Sequence, residues 1–164
     1  MTETNMERII TTIRGYFDRN LKYKHRFDEE NRVIYFSVSP PTCELHFTET
    51  ILTITGEIIP AMGAEEKNIR EAALYLTCLN NYLKYGNIII NDEGYVRIVV
   101  HQNCHGMPDI LEEVIDDICQ FMQATFFRFA GSIHDIILGF SSADAEIAKL
   151  KESENEQQEQ QHTE

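Results

Sequence analysis

The stretch from Leu74 to Val100 reads LYLTCLNNYLKYGNIIINDEGYVRIVV, and it decides the fold. Before Gly86 its apolar residues have helical spacing, and after Gly86 they alternate with polar residues. A helix followed by two short strands around the turn Asn91–Gly94 is typical of a compact α+β unit. The stretch holds no cluster of catalytic residue types, so it predicts an architecture rather than a reaction.

Three segments of the chain have the apolar spacing of amphipathic helices. The first runs from Met6 to Arg19. The second runs from about Glu65 to Tyr85, and Gly86 supplies its C-terminal stop. The third begins at Pro108, because proline suits the first helical position. We expect Gly131-Ser132 to divide or bend this third helix.

Six short segments alternate in hydrophobicity and are joined in pairs by polar turns, which predicts three hairpins. Together with the helices, they predict a two-layer α+β fold in which helices at the start, middle and end cover an antiparallel sheet. The predicted strands are Lys22–Phe27, Arg32–Ser39, Thr42–Phe47, Ile51–Ile59, Asn87–Ile90 and Tyr95–His101.

The length of 164 residues suits one domain with its own hydrophobic core. We expect residues 1–141 to form this domain. From residue 142 the chain becomes rich in Glu and Gln and poor in apolar residues, so residues 142–164 are predicted to be a disordered acidic tail.

The formal net charge is −13, from 27 acidic and 14 basic side chains. Such a charge repels nucleic acid and anionic membrane surfaces and favours basic partners. No apolar run approaches the roughly 20 residues that cross a bilayer. The N-terminal MTETNMERII has no signal-peptide pattern, and the four cysteines form no CxxC pair. We therefore expect a cytoplasmic protein with reduced thiols, no nucleic-acid partner and no membrane partner.

The nearest approach to a chemical cluster is His101, Cys104 and His105 in HQNCHG, together with Cys43 and His46 in CELH. Thiolate and imidazole ligands could hold zinc, and Cys104 beside a histidine could act as a nucleophile. However, Cys43 and His46 are three apart on a strand and point to opposite faces. The spacing matches no established zinc pattern, so we expect no metal and no cofactor.

The predicted third helix begins with the acidic segment LEEVIDDICQ. This segment places Glu112, Glu113, Asp116 and Asp117 on the polar face of the helix. A solvated face is the favoured interpretation, and a patch for a basic partner is the alternative.

The second face of the predicted sheet is unusually apolar for a face that only meets water. Either the protein's own helices cover it, or it is an interface with a partner or a second copy. Its candidate partner-binding residues are Val33, Tyr35, Tyr95, Arg97 and Val99.

The run AALYLTCLNNYLKYG, with Leu79-Asn80 and Gly86 ahead of NIIINDEGYVRIVV, resembles the helix-to-hairpin signature of the YbjN family. That family shares its fold with type III secretion chaperones, and the element order resembles it from about Met6 to Phe140. The resemblance implies a small acidic bacterial protein of the cytoplasm with no known catalysis. It also implies a protein partner, because the secretion chaperones bind an extended client segment, usually as homodimers. The Cys104-His105 loop and the acidic tail depart from the family pattern.

These observations predict a non-catalytic, chaperone-like or regulatory module that binds a protein partner or client segment through an apolar sheet face. Homodimerisation is a further candidate. One alternative is a Cys/His-dependent or metal-dependent activity around His101, Cys104 and His105. Another is a stand-alone regulatory partner in sensory transduction.

Overall fold

The computed structural model describes residues 5–37, 40–48, 50–104 and 111–161. In these ranges the chain forms four α-helices and one six-stranded antiparallel sheet, so the predicted α+β class is confirmed. The helices are α1 (Asn5–Arg19), α2 (Glu66–Leu79), α3 (Leu111–Ile137) and α4 (Ala143–Gln161).

The sheet contains the three predicted hairpins. Its strand order is β1-β2-β3-β4-β6-β5, because β6 pairs with β4 and leaves β5 at the edge. Short polar turns set this meander, and the Asn91–Gly94 turn closes with Gly94 N–H donating to Asn91 O at 2.9 Å. The strands are β1 (Lys24–Asp28), β2 (Val33–Ser37), β3 (Thr42–Phe47), β4 (Ile51–Pro60), β5 (Asn87–Ile90) and β6 (Tyr95–Asn103).

One face of the sheet, here called the inner face, joins a single buried cluster with residues of all four helices. The strand residues in this cluster follow the predicted alternation. The same alternation places Val38 on this face, but Val38 lies outside the described residues. The inner face consists of Ile34, Phe36, Cys43, Leu45, Phe47, Leu52, Ile54, Ile88, Val96, Ile98 and Val100.

A β-bulge changes the face on which one strand residue lies. The register of β4 against β6 shifts between Glu57 and Ile59. As a result, Ile59 pairs with the buried Val96 and contacts the core, although plain alternation places it on the opposite face.

Helix α2 is shorter than its apolar pattern predicts. It ends at Leu79, a short 3₁₀ turn covers Asn80–Tyr82, and Gly86 is therefore not the residue that ends the helix. Gly86 instead begins the approach to β5 with φ +77°. A Cβ at this position would lie 2.8 Å from Val100 Cγ2, so the close passage against β6 requires glycine.

Helix α3 is one continuous helix, so the predicted division at Gly131-Ser132 is wrong. Phe129 and Ile133 are buried on either side of Gly131, and burial of each such side chain contributes about 1.5–3 kcal/mol. That gain exceeds the cost of about 1 kcal/mol for a glycine within a helix. The chain leaves the helix at Gly139, where φ is +76°. The predicted start at Pro108 lies outside the described residues.

The prediction that disorder begins at residue 142 is wrong, because Ala143–Gln161 form helix α4. Its first turns contact α2, and Ala143 and Leu150 belong to the buried cluster. The Glu71 carboxylate of α2 accepts the Ala143 backbone N–H at 2.8 Å, which stabilises the N-terminus of α4. Ala143, Ile147 and Leu150 have helical spacing, and the surrounding polar residues obscured that short stripe.

Glu146 of α4 is buried between α4 and its neighbours, with 3% of its surface exposed. Its carboxylate accepts hydrogen bonds from Ser141 Oγ and Lys149 Nζ, both at 2.6 Å. Burial raises the pKa of Glu146, but these hydrogen bonds outweigh burial, and the pKa lies below its ordinary value. The charged form therefore helps to hold α4 in place at neutral pH.

None of the helices within the described ranges has the length and hydrophobicity that a membrane crossing needs.

Gly56 of β4 sets how closely α3 approaches the sheet, and this generates a prediction. A Cβ at Gly56 would lie 2.7 Å from Met122 Cε and 3.1 Å from Pro41 Cγ, and Met122 is fully buried. We expect Gly56→Ala to lower the free energy of unfolding by about 1–3 kcal/mol, as overpacked cores do. Urea denaturation measures this change.

Gly131→Ala is the matched control for this prediction. A Cβ at Gly131 has no neighbour within 4 Å, and the residue lies within α3. We expect it to leave stability unchanged or to raise it by up to about 1 kcal/mol. Equal effects of the two substitutions would contradict the close approach of α3 at Gly56.

Candidate partner-binding face

The outer face of the sheet is the one opposite the inner face, and its side chains form cross-strand rows. One row runs from Asp28 through Val33, His46 and Thr53 to His101. The next row contains Arg26, Tyr35, Glu44, Thr55, Val99 and Asn87, and a third contains Lys24, Ser37, Thr42, Glu57, Arg97 and Ile89.

None of these row residues belongs to the buried cluster that the helices share with the inner face. Among the described residues, the core side chains of the helices therefore share their cluster with the inner face and not with these rows. The described ranges show no helix that covers the outer face. Such coverage was one of the two explanations considered above. Ile51 and Ile89 of this face are 47% and 41% exposed.

The structure brings four of the five predicted partner-binding residues to this face in half-buried positions: Tyr35, Tyr95, Arg97 and Val99. Val33 lies on the same face but is only 2% exposed. Its burial removes Val33 from direct contact with a partner.

Arg97 lies among three carboxylates of the outer face. Its Nη1 atom is 3.9 Å from Glu44 Oε2, and its Nη2 atom is 3.8 Å from Glu93 Oε2. Glu57 is its direct cross-strand neighbour. The Nε atom is buried and has no hydrogen-bond partner among the described residues. The guanidinium thus forms long ion pairs with Glu44 and Glu93 and no short hydrogen bond to either.

Both tyrosines of the outer face already contact a cation. Arg26 Cζ lies 4.9 Å from the centroid of the Tyr35 ring, and Arg97 Cζ lies 5.4 Å from that of Tyr95. Cation–π contacts of this kind are worth about 0.5–1 kcal/mol at exposed sites. The rings are therefore partly shielded from water and are held in defined positions.

Two histidines also lie on the outer face. His46 Nε2 is 3.4 Å from Glu44 Oε2, and His101 Nδ1 is 2.9 Å from Thr53 Oγ1. Both histidines are exposed and on the outer face, whereas Cys43 is buried on the inner face. The opposite orientation predicted for Cys43 and His46 is therefore confirmed.

The predicted Cys/His cluster does not assemble in the described part of the chain. His101 is exposed, Cys104 is buried with its backbone N–H donating to Thr50 O at 2.7 Å, and His105 lies outside the described residues. Within the described ranges, no three His, Cys, Asp or Glu side chains form a group that could hold a metal ion.

The surroundings of the buried cysteines do not activate their thiols. Burial raises the pKa of Cys104 and of Cys43, and it raises the pKa of Cys119 to about 12. A nucleophilic cysteine requires a lowered pKa, because the thiolate is the reactive species. These three thiols are therefore protonated at neutral pH and behave as small apolar groups.

Two of the four acidic residues at the start of α3 contact other residues of this chain while staying partly exposed. Glu112 forms an ion pair with Arg19 of α1. Asp116 accepts hydrogen bonds from Tyr16 Oη at 2.8 Å and from Lys22 Nζ at 3.1 Å. The Tyr16 hydrogen bond, with smaller contributions from Gln120 and Lys22, lowers the pKa of Asp116. These contacts hold α1 against α3.

A groove of about 630 Å³ lies between α3 and the segment that contains Lys84 and Tyr85. Tyr85 fills much of its wall, with a ring centroid 4.3 Å from that of Phe121 and a hydroxyl that donates to Asp117 O at 3.2 Å. The groove contains no group of converging acids, bases or nucleophiles among its described lining residues, so it indicates no reaction.

The comparisons with known proteins find similarity to solved structures. No model of a known protein family matches the chain, and no curated protein matches it. The structure is similar to the crystal structure of YbjN from E. coli, which is provisionally described as a transcription regulator. The TM-score is 0.48 with 12% identical residues, over 79% of this chain and 89% of YbjN. This similarity assigns no residue of the chain a role.

Asn80 closes the edge of the sheet at β5. Its side chain donates to Ile88 O at 3.0 Å and accepts the Ile88 N–H at 2.8 Å, as a neighbouring strand would. Edge strands with free backbone groups invite pairing with other chains. Sequence patterns alone did not reveal this role, although Leu79-Asn80 belongs to the stretch that resembles the YbjN signature.

We expect Asn80→Ala to lower the free energy of unfolding by about 1–3 kcal/mol, because two backbone groups of Ile88 lose their partner. The opened edge should also make the protein associate as its concentration rises, which sedimentation velocity detects. The control is Asn81→Ala, whose exposed side chain donates only to Thr77 O at 3.3 Å. If Asn81→Ala has the same effect on both measurements, Asn80 does not protect the edge.

Proposed function

We propose that the chain is a non-catalytic protein-binding module, regulatory or chaperone-like, that engages a partner protein through the outer face of its sheet. The observation that carries this proposal is the one-sided arrangement of the fold. In the described ranges, the helices place their core residues against the inner face. A sheet face that carries half-buried tyrosines, an arginine and exposed isoleucines and faces only water would be costly to maintain.

The residue types of the outer face support protein recognition. Tyr35 and Tyr95 bury a large area at little rotamer cost, and Tyr and Arg are enriched among the residues that dominate binding energy. Val99 and Ile89 add apolar area between the charged groups. We assign the contact with the partner to Tyr35, Tyr95, Arg97 and Val99, with Val33 supporting them from beneath the surface.

The face, rather than the β5 edge, is the proposed contact. Asn80 occupies the Ile88 N–H, which an added client strand would need at that edge. A partner that packs on the outer face needs no free backbone groups. We therefore propose recognition through side chains of the outer face rather than strand addition at β5.

A non-enzymatic role is part of the proposal. The buried thiols of Cys43, Cys104 and Cys119 have raised pKa values, which supports structural roles for them. All four cysteines are free, which supports a reducing compartment such as the cytoplasm. The net charge of −13 supports a protein partner over nucleic acid or an anionic membrane.

Site-specific photo-cross-linking in living cells of the source organism tests the proposal. A benzophenone amino acid replaces Tyr35 on the outer face in one variant and Tyr82, on the helical side, in the other. We expect covalent adducts with a distinct protein from position 35, because a partner would lie against that ring. Mass spectrometry identifies the adducts.

Tyr82 is a matched control, since it is an exposed tyrosine, at 37%, beside the C-terminus of α2. Adducts that form from position 82 and not from position 35 would contradict the proposal. Tyr35→Glu and Tyr95→Glu give a second readout. Both variants should stay folded by circular dichroism and lose the adduct partner in a pull-down.

A further inference from the structure

We infer that the chain forms a homodimer in which β1 pairs with β1 of a second copy. The two strands run antiparallel and are centred on Phe27, so that the two sheets become continuous. This inference concerns the edge of the sheet and is separate from the proposed contact at the outer face. It is carried by the open backbone of β1 and by the order of the charges along residues 24–30.

The two edges of the sheet differ in how their backbone groups are used. At β5, the Asn80 side chain binds the backbone of Ile88. At the opposite edge, β1 pairs with β2 alone. No described residue outside β2 forms a hydrogen bond with the backbone of Lys24–Asp28. The backbone groups of β1 that point away from β2 are therefore open to another strand.

The charges along the β1 segment are ordered so that the segment complements itself. Residues 24–30 read Lys-His-Arg-Phe-Asp-Glu-Glu, with basic residue types before Phe27 and acidic ones after it. An antiparallel pairing centred on Phe27 places the basic half of each copy against the acidic half of the other. Lys24 then faces Glu30 of the second copy, and Arg26 faces its Asp28. Opposite charges directly across two strands stabilise their pairing.

Other ways of pairing two β1 strands are less favourable. Centring the pair on Arg26 or on Asp28 places identical charges directly opposite each other, which destabilises the pairing. A parallel arrangement brings the two basic halves together. Charged residues on an edge strand often keep copies of a protein apart. In β1, however, their order favours one antiparallel register.

The charges of the segment differ in whether they already have a partner. Contacts within the chain engage His25 with Asp18, Arg26 with Tyr35, Asp28 with Asn31 and Glu29 with Arg14. Lys24 and Glu30 are exposed, and neither side chain forms an ion pair or a hydrogen bond with another described residue. The contact between Lys24 of one copy and Glu30 of the other is therefore the one to change in an experiment.

Phe27 supplies an apolar centre for the paired strands. Its half-buried ring lies on the inner face, with its centroid 6.3 Å from that of Phe47 and 4.0 Å from Arg14 Cζ. In the proposed register, the Phe27 side chains of the two copies lie directly opposite each other on the same face. Such cross-strand aromatic pairs stabilise a sheet. The apolar edge of one copy would thus continue into the other.

Most of the net charge of −13 lies outside the part of the chain that would pair. The segment Asn5–Ser37 holds seven of the 14 basic residues and five of the 27 acidic ones. The excess of negative charge is therefore carried by the rest of the chain. At physiological ionic strength, salt screens exposed charges that are more than about 8 Å apart. The charges that decide the pairing are those that meet directly at β1.

Sedimentation velocity of the purified full chain, over a concentration range of about a hundredfold, tests the inference. We expect the wild type to be in a reversible monomer–dimer equilibrium. Lys24→Glu and Glu30→Lys should each weaken dimerisation by about tenfold or more, because two cross-strand pairs per dimer become like-charged. An equimolar mixture of the two variants should regain dimerisation to within about threefold of the wild type, since each variant then faces opposite charges on the other.

Lys151→Glu and Glu152→Lys are the matched controls, because they make the same charge changes at exposed positions of α4. We expect them to change dimerisation by less than about twofold, as scattered surface charges do. A general charge effect would move the two β1 variants in opposite directions, because one makes the chain more acidic and the other less acidic. If either β1 variant is unfolded by circular dichroism, Lys24→Gln and Glu30→Gln replace the pair, with a smaller loss of dimerisation expected for each.

Three results would overturn the inference. A wild type that stays monomeric over the whole range would lack the interface. A mixture of the two β1 variants that dimerises no better than each variant alone would mean that these charges do not meet. Loss of the dimer in Tyr95→Glu, with the β1 variants still dimeric, would assign self-association to the outer face. Cross-linking from position 35 tests the protein-binding function separately, so the two claims can fail independently.

Discussion

The close contact between α3 and the centre of the sheet is the constraint on which the rest of the structure depends. At Gly56 the absence of a side chain lets the fully buried Met122 lie against β4. From this contact α3 extends along the inner face, and α1 and α2 pack beside it. Helix α3 has ten buried residues and contacts β4, α1 and α2. The described helices leave the outer face open.

Polar contacts between elements hold this one-sided arrangement in place. Asp116 of α3 binds Tyr16 of α1, the Asn80 side chain completes the β5 edge, and Glu71 of α2 binds the first turn of α4. Each contact satisfies a polar group that would be costly to bury alone. The acidic charge of Asp116, Glu71 and Glu146 is therefore used within the fold.

Much of the fold could be predicted from the sequence, because alternation and helical spacing report burial directly. The bounds of β3 and β5 and nearly all inner-face residues follow from that pattern. The rest depends on contacts that the pattern does not contain. Helix α2 ends at Leu79, and the side chain of the next residue, Asn80, pairs with Ile88. Burial carries α3 through Gly131, and a bulge turns Ile59 inward. The site was predicted in part. Alternation along the strands indicated Tyr35, Tyr95, Arg97 and Val99. The burial of Val33 and the positions of Glu44, Glu57 and Glu93 near Arg97 depend on the register between strands, which the sequence does not give.

The central claim is that the outer face is open in the isolated chain and covered by another protein in the cell. Hydroxyl-radical footprinting with mass spectrometry, on the purified protein and on intact cells, measures this directly through tyrosine oxidation. In the purified chain, Tyr35, Tyr95 and Tyr82 should be oxidised, whereas the buried Tyr75 should not. In cells, we predict protection of Tyr35 and Tyr95 with Tyr82 unchanged. Equal oxidation of Tyr35 and Tyr95 in the two samples, or protection of Tyr82 alone, would contradict the account.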